Sequence, residues 1–109
     1  MSMVVEWAPF RLAPKVTEAE LLRASDALEA DFLTQQSGYL RRDLLRQDDG
    51  TWCDLVYWES AAAAEQAVQH ARSSGVCQQY FKLMVGPDGA DPGADLRHLA
   101  VKKRYRAAR

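Results

Sequence analysis

Glu6 is the one charge inside the apolar opening segment Val4-Val5-Glu6-Trp7-Ala8. Such surroundings disfavour a carboxylate anion, and a carboxylate there could act as a base towards a bound molecule. The opposing account is structural: a place at a sheet rim, or a pair with an arginine such as Arg97. His98 and His70 are the only histidines, and imidazole is the side chain that changes charge nearest neutral pH. His98 falls in a segment of strand character. His70 stands beside an apolar helical stripe rather than on it, which leaves His98 the better candidate for proton transfer. Neither has an evident acidic partner at local spacing. Asp54 lies between Cys53 and Leu55, close to a turn, and is expected to be a solvated strand end.

The catalytic candidates are therefore Glu6 and His98. Cys53 and Cys77 lack the basic neighbours that lower a thiol pKa, so nucleophilic roles are not expected, and two thiols are too few for a disulfide scaffold. No arrangement of His, Cys, Asp and Glu has the spacing of a zinc site, so no metal is expected. Trp7, Phe32, Tyr57, Trp58, Tyr80 and Phe81 could meet across the space between a sheet and its helices. Trp58 and Phe81 are the first expectations for ligand contact, with Trp7 and Tyr57 behind them. Phe32 and Tyr80 read as packing.

The elements that must position these residues can be read in order. Residues 3–12 form a strand rich in β-branched and aromatic side chains until Pro9 and Pro14 interfere. Thr17 opens a helix: it can act as N-cap, Glu20 completes a capping box, and Val16 can pack on Leu21. Leu21, Ser25, Leu28 and Phe32 recur on one helical face, and Gly38 is the expected stop. Residues 39–47 and 51–59 read as two strands joined at Asp48-Asp49-Gly50, where Asp-Gly supplies the positive φ of a tight hairpin. Ser60 caps a second helix running to Arg72 through the stripe Ala64, Ala67, Val68 and Ala71. A short helical turn follows Gly75 and carries Val76, Tyr80, Phe81 and Met84. Residues 86–95 form a Pro/Gly-rich loop, and 96–105 the last strand.

The order is thus β-α-β-β-α-β, a ferredoxin-like α+β arrangement with an antiparallel sheet, both helices on one face, and the first and third strands central. Its predicted edge strands carry Arg41, Arg42, Arg46, Lys102, Lys103 and Arg104, charges that discourage open-ended pairing. The central strands are apolar on both sides. The third has Trp52, Val56 and Trp58 on one face and Cys53, Leu55 and Tyr57 on the other; the first sets Val5 and Trp7 against Val4, Ala8 and Phe10. One layer of helices covers only one face. Sheet-to-sheet packing of a second copy is the expected cover for the other, giving a closed homodimer.

The segments Gly38-Tyr39-Leu40, Asp43-Leu44-Leu45-Arg46 and Asp54-Leu55-Val56-Tyr57-Trp58-Glu59-Ser60, the last leading into the Ala-rich helix, resemble the antibiotic biosynthesis monooxygenase-like, dimeric α/β-barrel superfamily. With the element order included, the resemblance spans nearly the whole chain. It implies a homodimer with a ligand cavity in each protomer between sheet and helices, and for some relatives oxidation of aromatic polyketides without metal or flavin. The function the resemblance implies is small-molecule binding, extending to cofactor-independent monooxygenase chemistry on an aromatic or polyketide-like substrate with no cofactor; the alternative is a non-catalytic dimeric ligand-binding or accessory protein. Relatives that degrade haem use an Asn, a Trp and a His; the matching places hold Glu6, Ala67 and a residue near Cys77, so that triad is absent.

Length and composition agree with these expectations. The 109 residues suit one domain, and 48% hydrophobic with 27% charged residues is an ordinary globular profile. A net charge of −1 gives no long-range pull on nucleic acid or anionic membrane, although Lys102, Lys103, Arg104, Arg106 and Arg109 make the C-terminus basic. An RNA-recognition reading would place Trp7 and Tyr57 as stacking platforms, but the third strand lacks that motif's basic, Gly-containing pattern. No segment has the ~20 apolar residues of a membrane span and no signal-peptide pattern opens the chain, so a cytoplasmic location is expected.

Overall fold

The computed structural model describes residues 2–89 and 91–108. Ala90 of the expected loop and Arg109 of the basic tail lie outside the described residues. The elements are β1 (Val4–Leu12), α1 (Glu18–Asp31), a 3-10 turn (Leu33–Gln35), β2 (Tyr39–Arg46), β3 (Trp52–Trp58), α2 (Ala61–Ala71), α3 (Gly75–Phe81), β4 (Met84–Val85) and β5 (Arg97–Ala100). The sheet is antiparallel in the order β2-β3-β1-β4, with β5 also paired to β1, and three helices complete the ferredoxin-like α+β fold. β1 and β3 are central, as the split βαβ order requires.

Local signals explain most boundaries. Thr17 caps α1 with the full reciprocal box to Glu20, Ser60 accepts from Ala63 N–H at the start of α2, and Ser74 does the same for α3 through Cys77 N–H. Each replaces an intrahelical partner that the first turn lacks. The β2–β3 hairpin closes with Gln47 N–H donating to Thr51 O at 2.7 Å, and Gly50 sits at φ +88°. α1 stops at Asp31, short of Gly38, because Phe32 departs from helical geometry and starts the 3-10 turn. Gly38 instead serves the approach to β2, with φ +81° and its carbonyl accepting from Glu59 N–H.

The expected last strand is two short ones flanking a loop. β4 pairs with Arg11 and Leu12 of β1, β5 pairs with Val4 to Trp7, and on β1 only Ala8, Pro9 and Phe10 separate the two pairings. Met3 O and Ala13 N both bond towards this edge, so by alternation the backbone of Pro9 points there as well. Proline has no N–H to donate, and the ladder is interrupted where that donor is missing. β5 ends at Ala100, so Lys102, Lys103 and Arg104 lie beyond the strand rather than on it.

Residue parity then divides the sheet. Val4, Phe10, Trp52, Val56 and Trp58 face the helices and join Leu21, Leu28, Phe32, Ala64, Ala67, Cys77 and Tyr80 in one buried core. The opposite face carries Val5, Trp7, Leu45, Leu55, Tyr57 and Leu99 in adjoining ladder positions. In the single chain this face is open: Trp7, Leu45 and Leu99 are 39%, 44% and 50% exposed. Arg41 lies over the Tyr57 ring at 4.6 Å and pairs with Asp43 at 2.6 Å on the same side.

Candidate functional site between sheet and helices

The helix-facing side of the sheet carries two acidic groups where apolar neighbours predominate. Asp54 shares the parity of Trp52, Val56 and Trp58, and only 7% of it is exposed, so it is a core residue and not the solvated strand end expected of it. Its partner comes from β2. Arg42 stands opposite Val56, points inward, and donates from Nε to Asp54 Oδ1 at 2.8 Å with its side chain 5% exposed. The edge strand thus turns Arg41 to the open face, leaves Arg46 at the exposed hairpin end of the helix-facing side, and spends Arg42 on the interior.

A network grows from this pair. Tyr80 of α3 donates its hydroxyl to Asp54 Oδ2 at 2.7 Å, and Arg42 reaches the Tyr80 oxygen, the Ser25 hydroxyl and Glu29 Oε1. Tyr39 donates to the other Glu29 oxygen at 2.6 Å; a register shift between Tyr39 and Arg41 brings its ring edge-on to Trp58. Burial opposes the charge on Arg42, but the Asp54 carboxylate and the hydroxyl of Tyr80 outweigh it and hold the guanidinium protonated. Burial, followed by the Asp54 charge, pushes the Tyr80 phenol far above its ordinary range, so it remains a donor. The network ties β2, β3, α1 and α3 together, with the single Arg42 guanidinium shared between the buried Asp54 carboxylate and the more exposed Glu29 carboxylate.

Glu6 is the second acidic group. It stands opposite His98 in the β1–β5 ladder, and His98 Nε2 lies 3.0 Å from Glu6 Oε1. The pairing with Arg97 is therefore ruled out by alternation: Arg97 projects to the opposite face, with Trp7. The hydrogen bond to Glu6 is the largest influence on His98 and lifts its pKa above the ordinary histidine value, against burial; the charges of Glu6 and of Glu65 on α2 add to the rise. The two residues singled out separately as proton-transfer candidates are thus in contact. No local spacing could reveal it, because 92 residues separate them.

Between the sheet and the helices lies a cavity of about 770 Å³, within the range of small-molecule sites. Phe10, Leu28, Phe32, Val56, Ala67 and Met84 give it apolar walls, while Glu6, Arg42, Asp54 and Tyr80 supply polar groups. Trp58 and Phe81 are among the residues that line it. Trp7 and Tyr57 do not: their parity puts them on the open sheet face, a correction that follows from the period of two in a strand. Trp58 is 1% exposed, and its indole Nε1 has no hydrogen-bond partner among the described residues. Burial raises the pKa of both Cys53 and Cys77, which keeps them as thiols. His70 pairs with Gln36 away from the cavity.

The fold of this chain is shared with several solved structures. The cofactor-independent oxygenase SnoaB of Streptomyces nogalater matches at TM-score 0.66 and 17% identity, covering 97% of each chain. A Bordetella bronchiseptica protein provisionally designated an antibiotic biosynthesis monooxygenase matches at TM-score 0.63 and 20% identity, covering 96% of this chain and all of the other. A protein of the same designation from Chloroflexus aurantiacus matches at 0.64 and 13%, covering 96% and 98%. No protein-family model matches the sequence, and no curated protein is similar to it. Among the described residues no helix is long and apolar enough to cross a membrane.

Proposed function

We propose that this chain binds a small aromatic, polyketide-like molecule in the cavity and oxidises it with dioxygen, without metal or flavin, as a cytoplasmic homodimer. The observation that carries the reading is the cavity between sheet and helices, which combines apolar walls with the polar groups of Glu6, Arg42, Asp54 and Tyr80 and includes in its lining Trp58, whose buried indole N–H has no partner among the described residues. A buried donor without a partner is costly, and a ligand oxygen would satisfy it. Likeness of fold to the oxygenase SnoaB supports the same reading. For an anthrone-type methylene the balance is simple: two C–H bonds break, one oxygen atom becomes the new carbonyl, and the other leaves as water with both hydrogens. All four electrons come from the substrate. The cavity's part is to hold the ring, fix its oxygen on Trp58 and remove a proton. The open face with Trp7, Leu45 and Leu99 supports pairing with a second copy, and two unpaired thiols suit a reducing compartment.

Oxygen uptake by metal-free protein with a panel of anthrones and hydroquinones tests this. The expected result is consumption of at least one compound above its spontaneous rate, and binding about tenfold weaker in Trp58→Phe, which keeps the ring and loses the donor. A compound that raises the melting temperature without consuming oxygen would make the protein a binder and remove the catalytic half. No response from either measurement would remove both.

A further inference from the structure

We infer that Glu6 and His98 act as one proton-accepting unit, which takes a hydroxyl proton from the phenolic ligand in the cavity. The inference rests on the cavity being the ligand site. Three observations support it. Both residues are held by ladder positions in the sheet, β1 for Glu6 and β5 for His98, so their contact is fixed by backbone pairing rather than by flexible loops. Glu6 Oε1 is engaged by His98, whereas Oε2 takes no hydrogen bond among the described residues, and the residue lines the cavity. Glu6 also stands diagonally across the ladder from Trp58 on the same face, because Val4 pairs with Trp58 and Glu6 with Val56. A residue with a spare acceptor oxygen and a residue with an unpartnered donor therefore occupy diagonal positions on one sheet face.

The step is a heterolysis. The ligand O–H bond breaks, its electron pair stays on the ligand oxygen, and the proton bonds to Glu6 Oε2; because Nε2 already carries the hydrogen it donates to Oε1, the proton then passes through solvent to Nδ1 of the partly exposed His98, leaving a carboxylate–imidazolium pair. Base strength decides why two residues are needed. Between an ordinary carboxylate and a phenol the gap is roughly six pK units, whereas between an ordinary imidazole and a phenol it is about three and a half. The hydrogen bond from Glu6 narrows the second gap further. The further charge acting on His98 is Glu65 from α2, which also favours the imidazolium; Asp54, on the same sheet face, is paired with Arg42. A carboxylate–imidazole unit titrates as a pair, so the proton belongs to the pair and not to either residue alone.

Two measurements on the full chain test the inference. In the first, labelled histidine is followed by NMR across pH. His98 is expected to titrate above the ordinary histidine value in the wild type and to drop in Glu6→Gln. In the second, 4-nitrophenol is bound to the protein and its phenolate absorbance read below the pH at which the free dye ionises. Phenolate is expected in the wild type and in neither Glu6→Gln nor His98→Asn, the latter falling about a hundredfold, the gap between an imidazole and a carboxylate. Unchanged dye ionisation in His98→Asn, a His98 titration indifferent to Glu6→Gln, or exclusion of the dye from the cavity would each overturn the inference. Dye ionised by the pair with no oxygen uptake from any anthrone leaves the pair standing and removes the oxygenase reading. Oxygen uptake unaltered in both variants does the reverse.

Discussion

Arg42 and Asp54 lie 2.8 Å apart on neighbouring strands, with side chains only 5% and 10% exposed. Two charges so deeply placed are tolerable together and costly apart, because the survivor of a single substitution is left in a poor dielectric. Asp54→Ala is expected to lower unfolding free energy by about 3–5 kcal/mol, read from urea titrations. The double variant Arg42→Met with Asp54→Leu should recover most of that loss, since an apolar pair of similar volume needs no compensation. A single variant as stable as the wild type would contradict the network.

Stability should carry the signature of the Glu6–His98 pair. The folded-state pKa of His98 is raised, so its contribution is fully present below about pH 6.5, the unfolded value, and is lost as pH rises through the higher folded value. Unfolding titrations at intervals from pH 6 to 9 should show wild-type stability falling relative to His98→Asn over that upper range. A difference that stays flat, or grows with pH, would exclude a raised His98 pKa.

Gly38 should resist substitution. At φ +81° any added Cβ is strained, and here it would also meet Ala63 Cβ at 2.6 Å and Glu59 Cγ at 2.9 Å. The expected cost of Gly38→Ala is more than about 1 kcal/mol, measured as a fall in melting temperature. Gly75 has no atom within 4 Å of the corresponding position and no positive φ, so Gly75→Ala serves as the control with little effect.

The open sheet face should set the oligomeric state. Light scattering at micromolar concentration is expected to give twice the chain mass of 12.2 kDa. Trp7→Arg places a charge in the middle of that face, next to Leu55 and Arg97 in the ladder, and should shift the particle towards the single-chain mass while leaving the helix-side core intact. A wild-type particle already at the single-chain mass would remove the homodimer.

Element order, the capping box at Thr17, the Asp-Gly hairpin and the ferredoxin-like topology were legible in the sequence because each depends on residues close together: a cap on its third neighbour, a turn on its glycine, a strand on its alternation. Alternation also held information that nearness to a turn obscured. Asp54 has the parity of Trp52, Val56 and Trp58, and counting back through the hairpin from the Arg46–Trp52 pair places Arg42 on that same face. Tertiary structure alone decided which distant groups meet. It brought His98 to Glu6 across two strands, Tyr80 and Ser25 to Arg42, and an interrupted edge to the side of β1 where Pro9 lacks its donor. Such contacts depend on how strands are ordered and how helices settle over them, and those choices are set by packing the whole chain at once rather than by any local spacing.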